Sequence, residues 1–310
     1  MTEFPLIIQD LTKKFVREIA LNKVSFSVPE NKIFGLIGPD GAGKTTLIRI
    51  LATLMSFDSG EILFQDKSII GQSQYIRKNI GYMPQRFSLY QDLSVAQNLR
   101  FFGDLFNVPI TTQKKRIEEL YSFSKLAPFS QRKAGDLSGG MKQKLALSCI
   151  LMHEPKILIL DEPTVGVDAV SRFEFWDILH NLSEQGATIL VSTSYMEEAE
   201  QCYQVGLIYK GSILAQGKPD KLIEEYPYPL YKLKTTDTYQ TYSKLHEQDL
   251  GKNSQLFGDT IHIADTQNTG LKNISKSLKQ LGITICELLP TAPNLEDLFL
   301  YLIQRKSENG

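Results

Sequence analysis

Cysteine is scarce in this sequence. Cys149, Cys202 and Cys286 are three in 310 residues, odd in number, far apart and without metal-ligand spacing. That pattern excludes a disulfide framework and a thiolate metal site, and fits isolated buried thiols in a reducing compartment. Long apolar runs are missing too. No stretch approaches the roughly 20 residues of a bilayer-spanning helix, so the chain is not expected to form a channel by itself. The start, Met1 to Asp10, lacks the basic and apolar regions of a secretory signal, and a cytoplasmic location is expected. Nor is either charge in excess: 34 Lys and Arg stand against 35 Asp and Glu. No net field therefore favours nucleic acid or an anionic membrane as the main partner.

What is present is an ordinary globular composition, 42% hydrophobic and 22% charged, enough for a large domain and a small one. Leu6 to Leu11 is a short apolar run, Val24, Phe26 and Val28 alternate with polar residues, and Ile33 to Ile37 leads into a glycine-rich turn. All three read as strands, and Thr45 to Met55 reads as a helix. From about residue 88 to 152 helical patterns dominate, which predicts an inserted helical subdomain. Strand signals return at Ile157 to Leu160 and Thr188 to Ser192, each followed by a helical segment. Strands alternating with helices predict an α/β fold with a mainly parallel buried sheet, and the strands before it predict an antiparallel β subdomain. The Tyr226-Pro227-Tyr228-Pro229 break divides an expected domain 1–225 from a small α/β appendage, 226–306, with a disordered tail over 307–310.

The glycine-rich turn, Gly38-Pro39-Asp40-Gly41-Ala42-Gly43-Lys44-Thr45, fits G-x-x-x-x-G-K-[ST] between a strand and a helix, as that motif requires. Its glycines allow backbone N–H groups to curl around phosphates. Lys44 offers charge to the β- and γ-phosphates, Thr45 a hydroxyl for Mg²⁺, and the helix start, where Thr46 follows, a favourable dipole. A nucleoside triphosphate is the expected ligand. Asp161 ends an apolar strand, where a carboxylate can hold Mg²⁺ through its water shell; Glu162 beside it can orient or deprotonate the attacking water.

With Leu137-Ser138-Gly139-Gly140-Met141 standing shortly before the acidic pair, the chain resembles the ABC ATPase family over about residues 3–220. An isolated LSGG would more often be only a loop; beside a phosphate loop it is specific. The resemblance implies a P-loop NTPase that binds ATP and Mg²⁺. It also implies that residues 137–141 contact ATP held by a facing subunit, using Ser138 and glycine N–H groups at a helix start. Phe15 resembles the aromatic that stacks on adenine, Gln85 of Tyr82-Met83-Pro84-Gln85 the residue that senses Mg²⁺ and water, and Asp168 of Thr164-Val165-Gly166-Val167-Asp168 the link to the facing subunit. The segment from Pro293 to Phe299 is similar to the tail of drug- and antibiotic-exporter ATPases that pair with ABC-2 type permeases. Permease helices would then rest near Phe87 to Ser94, with the chain on the cytoplasmic face of the membrane.

One position departs from the family pattern. Ser194, in Leu190-Val191-Ser192-Thr193-Ser194-Tyr195-Met196, stands where the family places a histidine that contacts the γ-phosphate. A serine cannot become cationic, so this site is expected to turn over slowly and to pair with a second, histidine-bearing ATPase subunit; a homodimer is the contrary reading. Two rivals weigh less. A soluble remodeller of ribosomes or DNA needs two fused cassettes or a long coiled coil, and this chain has one phosphate loop and no sustained heptads. A ligand-sensing regulator with incidental hydrolysis is disfavoured by the intact Asp161-Glu162 pair.

Overall fold

The computed structural model describes residues 3–86, 89–247, 251 and 253–308. Two compact units divide the chain, Met1–Pro219 and Asp220–Gly310. The break expected at Tyr226 to Pro229 falls inside the second unit, because the rings of Tyr226 and Tyr228 pack edge-on against Tyr301.

The first unit opens with β1 (Leu6–Phe15), β2 (Glu18–Val28), β3 (Ile33–Ile37) and α1 (Lys44–Leu51). β4 (Ser59–Phe64), β5 (Lys67–Ser68), α2 (Ser73–Asn79) and β6 (Ile80–Met83) follow. The helical stretch holds α3 (Val95–Leu105), α4 (Ile110–Ser124) and α5 (Gly139–Ile150). The chain then returns through β7 (Ile157–Asp161), α6 (Ala169–Glu184), β8 (Thr188–Thr193), β9 (Gln204–Tyr209) and β10 (Ser212–Gly217).

Strands β2-β1-β4-β5 form an antiparallel sheet, and β10-β9-β3-β8-β7-β6 form the main sheet. Within the main sheet only β9 and β10 run antiparallel to each other. Every residue of β3, β7 and β8 is buried, which is why these strands read as unbroken apolar runs rather than alternating ones. Register decides where chemistry gathers. Ile37 pairs with Thr193, Asp161 with Ser192, and Leu160 with Met83. The carboxyl ends of β3, β6, β7 and β8 therefore lie side by side, the edge at which open α/β sheets place their ligands.

Three boundaries differ from the sequence reading. α1 stops at Leu51 instead of Met55, since Thr53 is in the left-handed region at φ 58°. β1 continues past Leu11 to Phe15 because β2 pairs with it to that end. α5 begins at Gly139, three residues before Lys142, because the Ser138 hydroxyl accepts from Met141 N at 3.3 Å and caps the helix. α3 starts on a reciprocal cap, Ser94 with Gln97.

The second unit contains α7 (Pro219–Ile223, which crosses the division), β11 (Leu230–Thr235), α8 (Thr238–His246), β12 (Ser254–Phe257), β13 (Thr260–Ala264), α9 (Leu271–Gln280), β14 (Ile285–Thr291) and α10 (Leu295–Glu308). Its antiparallel sheet, ordered β12-β13-β11-β14, covers a core of Leu233, Leu245, Ile261, Ile263, Ile274, Leu278 and Ile283. The tail expected from residue 307 is instead helical through Glu308, and the Ser307 hydroxyl donates to Ile303 O. Asn294 and Asp297 exchange reciprocal bonds at the start of α10, so the segment 293–299 is a helix start.

Candidate active site

A cavity of about 440 Å³ opens at the carboxyl edge of the main sheet. Asp40, Gly41, Gly43, Lys44, Thr45 and Thr46 line one side; Gln85 and Glu162 face them, and Glu18, Ile19, Ala20, Lys210 and Gly211 complete the wall. The loop is glycine-rich for steric reasons. A Cβ on Gly38 would sit 2.2 Å from Ile208 O, and one on Gly43, whose φ is 105°, would sit 2.6 Å from Ala20 O. The close approach of β2 and of the 210–211 turn, where Gly211 N donates to Ala42 O at 3.0 Å, leaves no room for a side chain at position 43.

Lys44 is buried and donates to Gly38 O and Pro39 O at 2.7 and 3.0 Å, while its Nζ lies 3.0 Å from Glu162 Oε1. The other oxygen of Glu162 accepts from Gln85 Nε2 at 2.8 Å. Glu162 itself has φ 48° and donates its N–H to the carbonyl and the hydroxyl of Ser192. The strained turn aims the carboxylate back across the sheet edge at the phosphate loop.

Asp161 lies deeper, 1% exposed. Its Oδ1 accepts from Ser192 Oγ at 2.8 Å and from Thr45 Oγ1 at 3.2 Å; its Oδ2 is buried without a partner. Burial raises its carboxyl above the usual range, an effect the two hydroxyls oppose. A buried, half-satisfied carboxylate bonded to a threonine hydroxyl, with Gln85 lining the same cavity as that threonine, offers oxygen donors of the kind Mg²⁺ takes. Thr45, Asp161 and Gln85 thus fit that ion.

Other residues singled out from the sequence stand outside the cavity lining. Phe15 is 44% exposed at the end of β1 and pairs in register with Glu18, which does line the cavity; Lys13 Nζ sits 5.6 Å from its ring centre. Ser194 is half-buried, directly after Thr193, whose carbonyl accepts from Gly38 N at 3.2 Å. Leu137, Ser138, Gly139, Gly140 and Met141 contribute nothing to the wall, and Ser138 and Gly139 are exposed. Asp168 caps α6 by accepting from Ser171 N at 3.0 Å, and that bonding to Ser171 lowers its carboxyl below the usual range. Phe87 and Ser88 lie outside the described residues.

A family model described as ABC transporter matches residues 21–165. Across nearly the whole chain, the Nod factor export ATP-binding protein I of Burkholderia lata is 33% identical over 309 residues, 98% of this chain and 99% of that protein. The chain belongs to the ABC transporter ATP-binding family. The Probable multidrug ABC transporter ATP-binding protein YbhF of Escherichia coli is 44% identical over 226 residues, 72% of this chain. The chain spans only 39% of the length of YbhF. Among solved structures, a dimeric post-hydrolysis ATP-binding cassette bound to ADP and Pi superposes with a TM-score of 0.62 at 25% identity, covering 69% of this chain and 98% of that one. ABC cassettes bind ATP and hydrolyse it, so this ABC protein is an ATPase. Among the described residues no helix is long and apolar enough to cross a membrane.

Motifs located Lys44, Thr45, Asp161 and Glu162, but not Ser192, Glu18, Ala20, Lys210 or Gly211. The Lys210-Gly211 turn, both residues with positive φ, was the one local signal available for the last two.

Proposed function

We propose that this chain is the motor subunit of an ABC exporter, hydrolysing ATP at the cavity and working on ABC-2 type membrane permeases from the cytoplasmic face. The observation that carries the reading is the convergence of Lys44, Glu162 and Gln85 on one side of Thr45 and Asp161. Lys44 exchanges Glu162 for the β- and γ-phosphates, and the N–H groups of the phosphate loop and the α1 start hold the remaining charge. Thr45, Asp161 and Gln85 hold Mg²⁺, which when bound neutralises phosphate charge. Glu162, once parted from Lys44, accepts a proton from the attacking water, and Gln85 orients that water.

The wall lacks residues 137–141 and Asp168, and Ser138 and Gly139 are exposed. Both facts support a head-to-tail dimer, in which a second ATPase subunit closes each ATP with its own Ser138-type helix start and Asp168-type cap. Phe15 stacks on adenine from the β1 end. The names of the relatives, multidrug transport for YbhF and Nod factor export for the Burkholderia protein, support export as the direction.

Ser194 sets the rate. Its hydroxyl supplies no cation to developing phosphate charge, so the site of this subunit is slow and the partner is a histidine-bearing ATPase subunit. Hydrolysis by the purified chain, beside a nucleotide titration, tests this: Ser194→His is expected to raise turnover about tenfold or more with little change in ATP affinity. Unchanged turnover in Ser194→His overturns the handicap and favours a homodimer.

A further inference from the structure

We propose that Glu198 is a positioning residue for hydrolysis, which through Thr164 and Arg172 locks the turn after Glu162 to the segment after Ser194. The proposal rests on the reading that Glu162 and Ser194 face the nucleotide.

Glu198 sits on the 3₁₀ turn Met196–Gln201 and is 3% exposed. A carboxylate so deeply buried needs partners, and here they come from two other functional segments. Thr164 Oγ1 donates to Glu198 Oε1 at 2.7 Å, and Arg172 Nε lies 3.7 Å from the same oxygen. Thr164, two residues past Glu162, is also buried, and its carbonyl accepts from Val167 N at 3.2 Å. One residue therefore ties the turn both inward and outward. Arg172 belongs to the first turn of α6 and donates its backbone N–H to Asp168 O at 2.9 Å; its guanidinium lies 4.2 Å over the ring of Tyr195, the neighbour of Ser194. The network thus joins the turn after Glu162, the start of α6 and the segment after Ser194, while none of its members lines the cavity.

Two features mark this as more than packing. Glu162 holds a left-handed φ of 48°, a conformation that persists only where neighbouring structure over-determines it, and Thr164 anchors that turn. The charge pair also has slack. Arg172 Nε and Glu198 Oε2 are both buried without a hydrogen-bond partner, and 3.7 Å is longer than a hydrogen bond. Rotation of the carboxylate about its bond to Thr164 gives Arg172 a direct, charge-assisted contact. Because the guanidinium rests on Tyr195, that closure carries the Ser194 segment with the Glu162 turn.

Hydrogen exchange on the full chain reads the clamp directly, and single-turnover ATP hydrolysis reads its consequence. Thr164→Val and Glu198→Gln should speed exchange of the Val165 and Val167 amides about tenfold or more and leave Leu47 in α1 unchanged. Both should slow single-turnover hydrolysis about tenfold while the ATP dissociation constant moves less than about twofold, since misplacement of a reacting group costs rate rather than binding. Thr164→Ser, which keeps the hydroxyl, should return exchange and rate to near wild type. The threonine variants leave the charges of Glu198 and Arg172 in place, so the test stands even where Glu198→Gln does not fold. Unchanged exchange at Val165 and Val167 in Thr164→Val overturns the proposal, as does a rate loss matched by lost ATP affinity or one that Thr164→Ser does not rescue. Absence of ATP binding in the wild-type titration would instead sink the reading of the cavity, leaving the clamp to be judged by exchange alone.

Discussion

Replacing Glu162 by glutamine removes one charge from a pair that the fold buries almost completely, Lys44 being 3% and Glu162 5% exposed. At 3.0 Å and an effective dielectric of about 20, their attraction is roughly 5.5 kcal/mol before desolvation is counted. Losing one member of a buried pair costs about 3–5 kcal/mol when the other is left bare. Lys44 is not left bare, because Gly38 O and Pro39 O still accept from it. The expected loss is therefore smaller, about 2 kcal/mol, equivalent to a melting temperature about 4–8 °C lower for a unit of this size.

The same substitution should strengthen ATP binding. In the proposed mechanism phosphate takes Lys44 from Glu162, and in Glu162→Gln that separation no longer costs about 2 kcal/mol, which corresponds to roughly ten- to thirtyfold tighter binding. Hydrolysis should fall by about 10²–10⁴ with loss of the base. Differential scanning with and without ATP, an isothermal titration and a hydrolysis assay measure the three quantities. A variant that melts lower without nucleotide yet binds ATP no better would refute the competition between Glu162 and phosphate. Retained turnover would remove Glu162 from the chemistry.

Gly43→Ala should cost about 3 kcal/mol in urea unfolding and abolish nucleotide retention, because its Cβ would meet Ala20 O at 2.6 Å in a left-handed backbone at φ 105°. His153 stacks 3.9 Å from Phe106, bonds Ile80 O through Nε2 at 2.9 Å, and is held below the usual histidine range chiefly by burial. The unfolded chain therefore takes up a proton near pH 6.5 that the folded chain refuses, so the stability it contributes is present above that pH and lost as pH falls through it. His153→Phe should flatten the melting temperature between about pH 7 and 5; an unchanged slope would show that other groups dominate acid unfolding.

Motif and strand pattern made the phosphate loop and the acidic pair legible because both depend on local sequence: β3, β7 and β8 are unbroken apolar runs, and the loop needs glycine where a Cβ would strike β2 or Ile208. Ser192, Glu18 and Lys210 were not legible, since sheet register, not spacing along the chain, brings them to the site. Ser192 acts on Asp161 only because β8 lies beside β7. Lys210 reaches the wall because Gly211 bonds Ala42 and Asn22. The end of α1 is hidden from the sequence for a backbone reason, Thr53 turning left-handed where the side chains alone continue a helical pattern.

The starts of α5 and α6 form one piece. A Cβ on Gly140 would lie 2.3 Å from Ser171 Cβ, Lys144 pairs with Glu174 one turn further along, and Ser171 in turn gives its N–H to Asp168. Glycine at 140 thus serves the contact between two helices as much as any contact with phosphate. Residues 137–141 and Asp168 consequently lie at adjoining helix starts, so in the proposed dimer a facing subunit that engages the first also meets the second. From Asp168 the chain runs to Arg172, Glu198 and the Tyr195 ring, and through Thr164 back to Glu162. In the proposed dimer this series of contacts, which begins at the exposed Asp168 and includes the 3.7 Å gap between Arg172 and Glu198, links the partner-facing edge to the turn after Glu162.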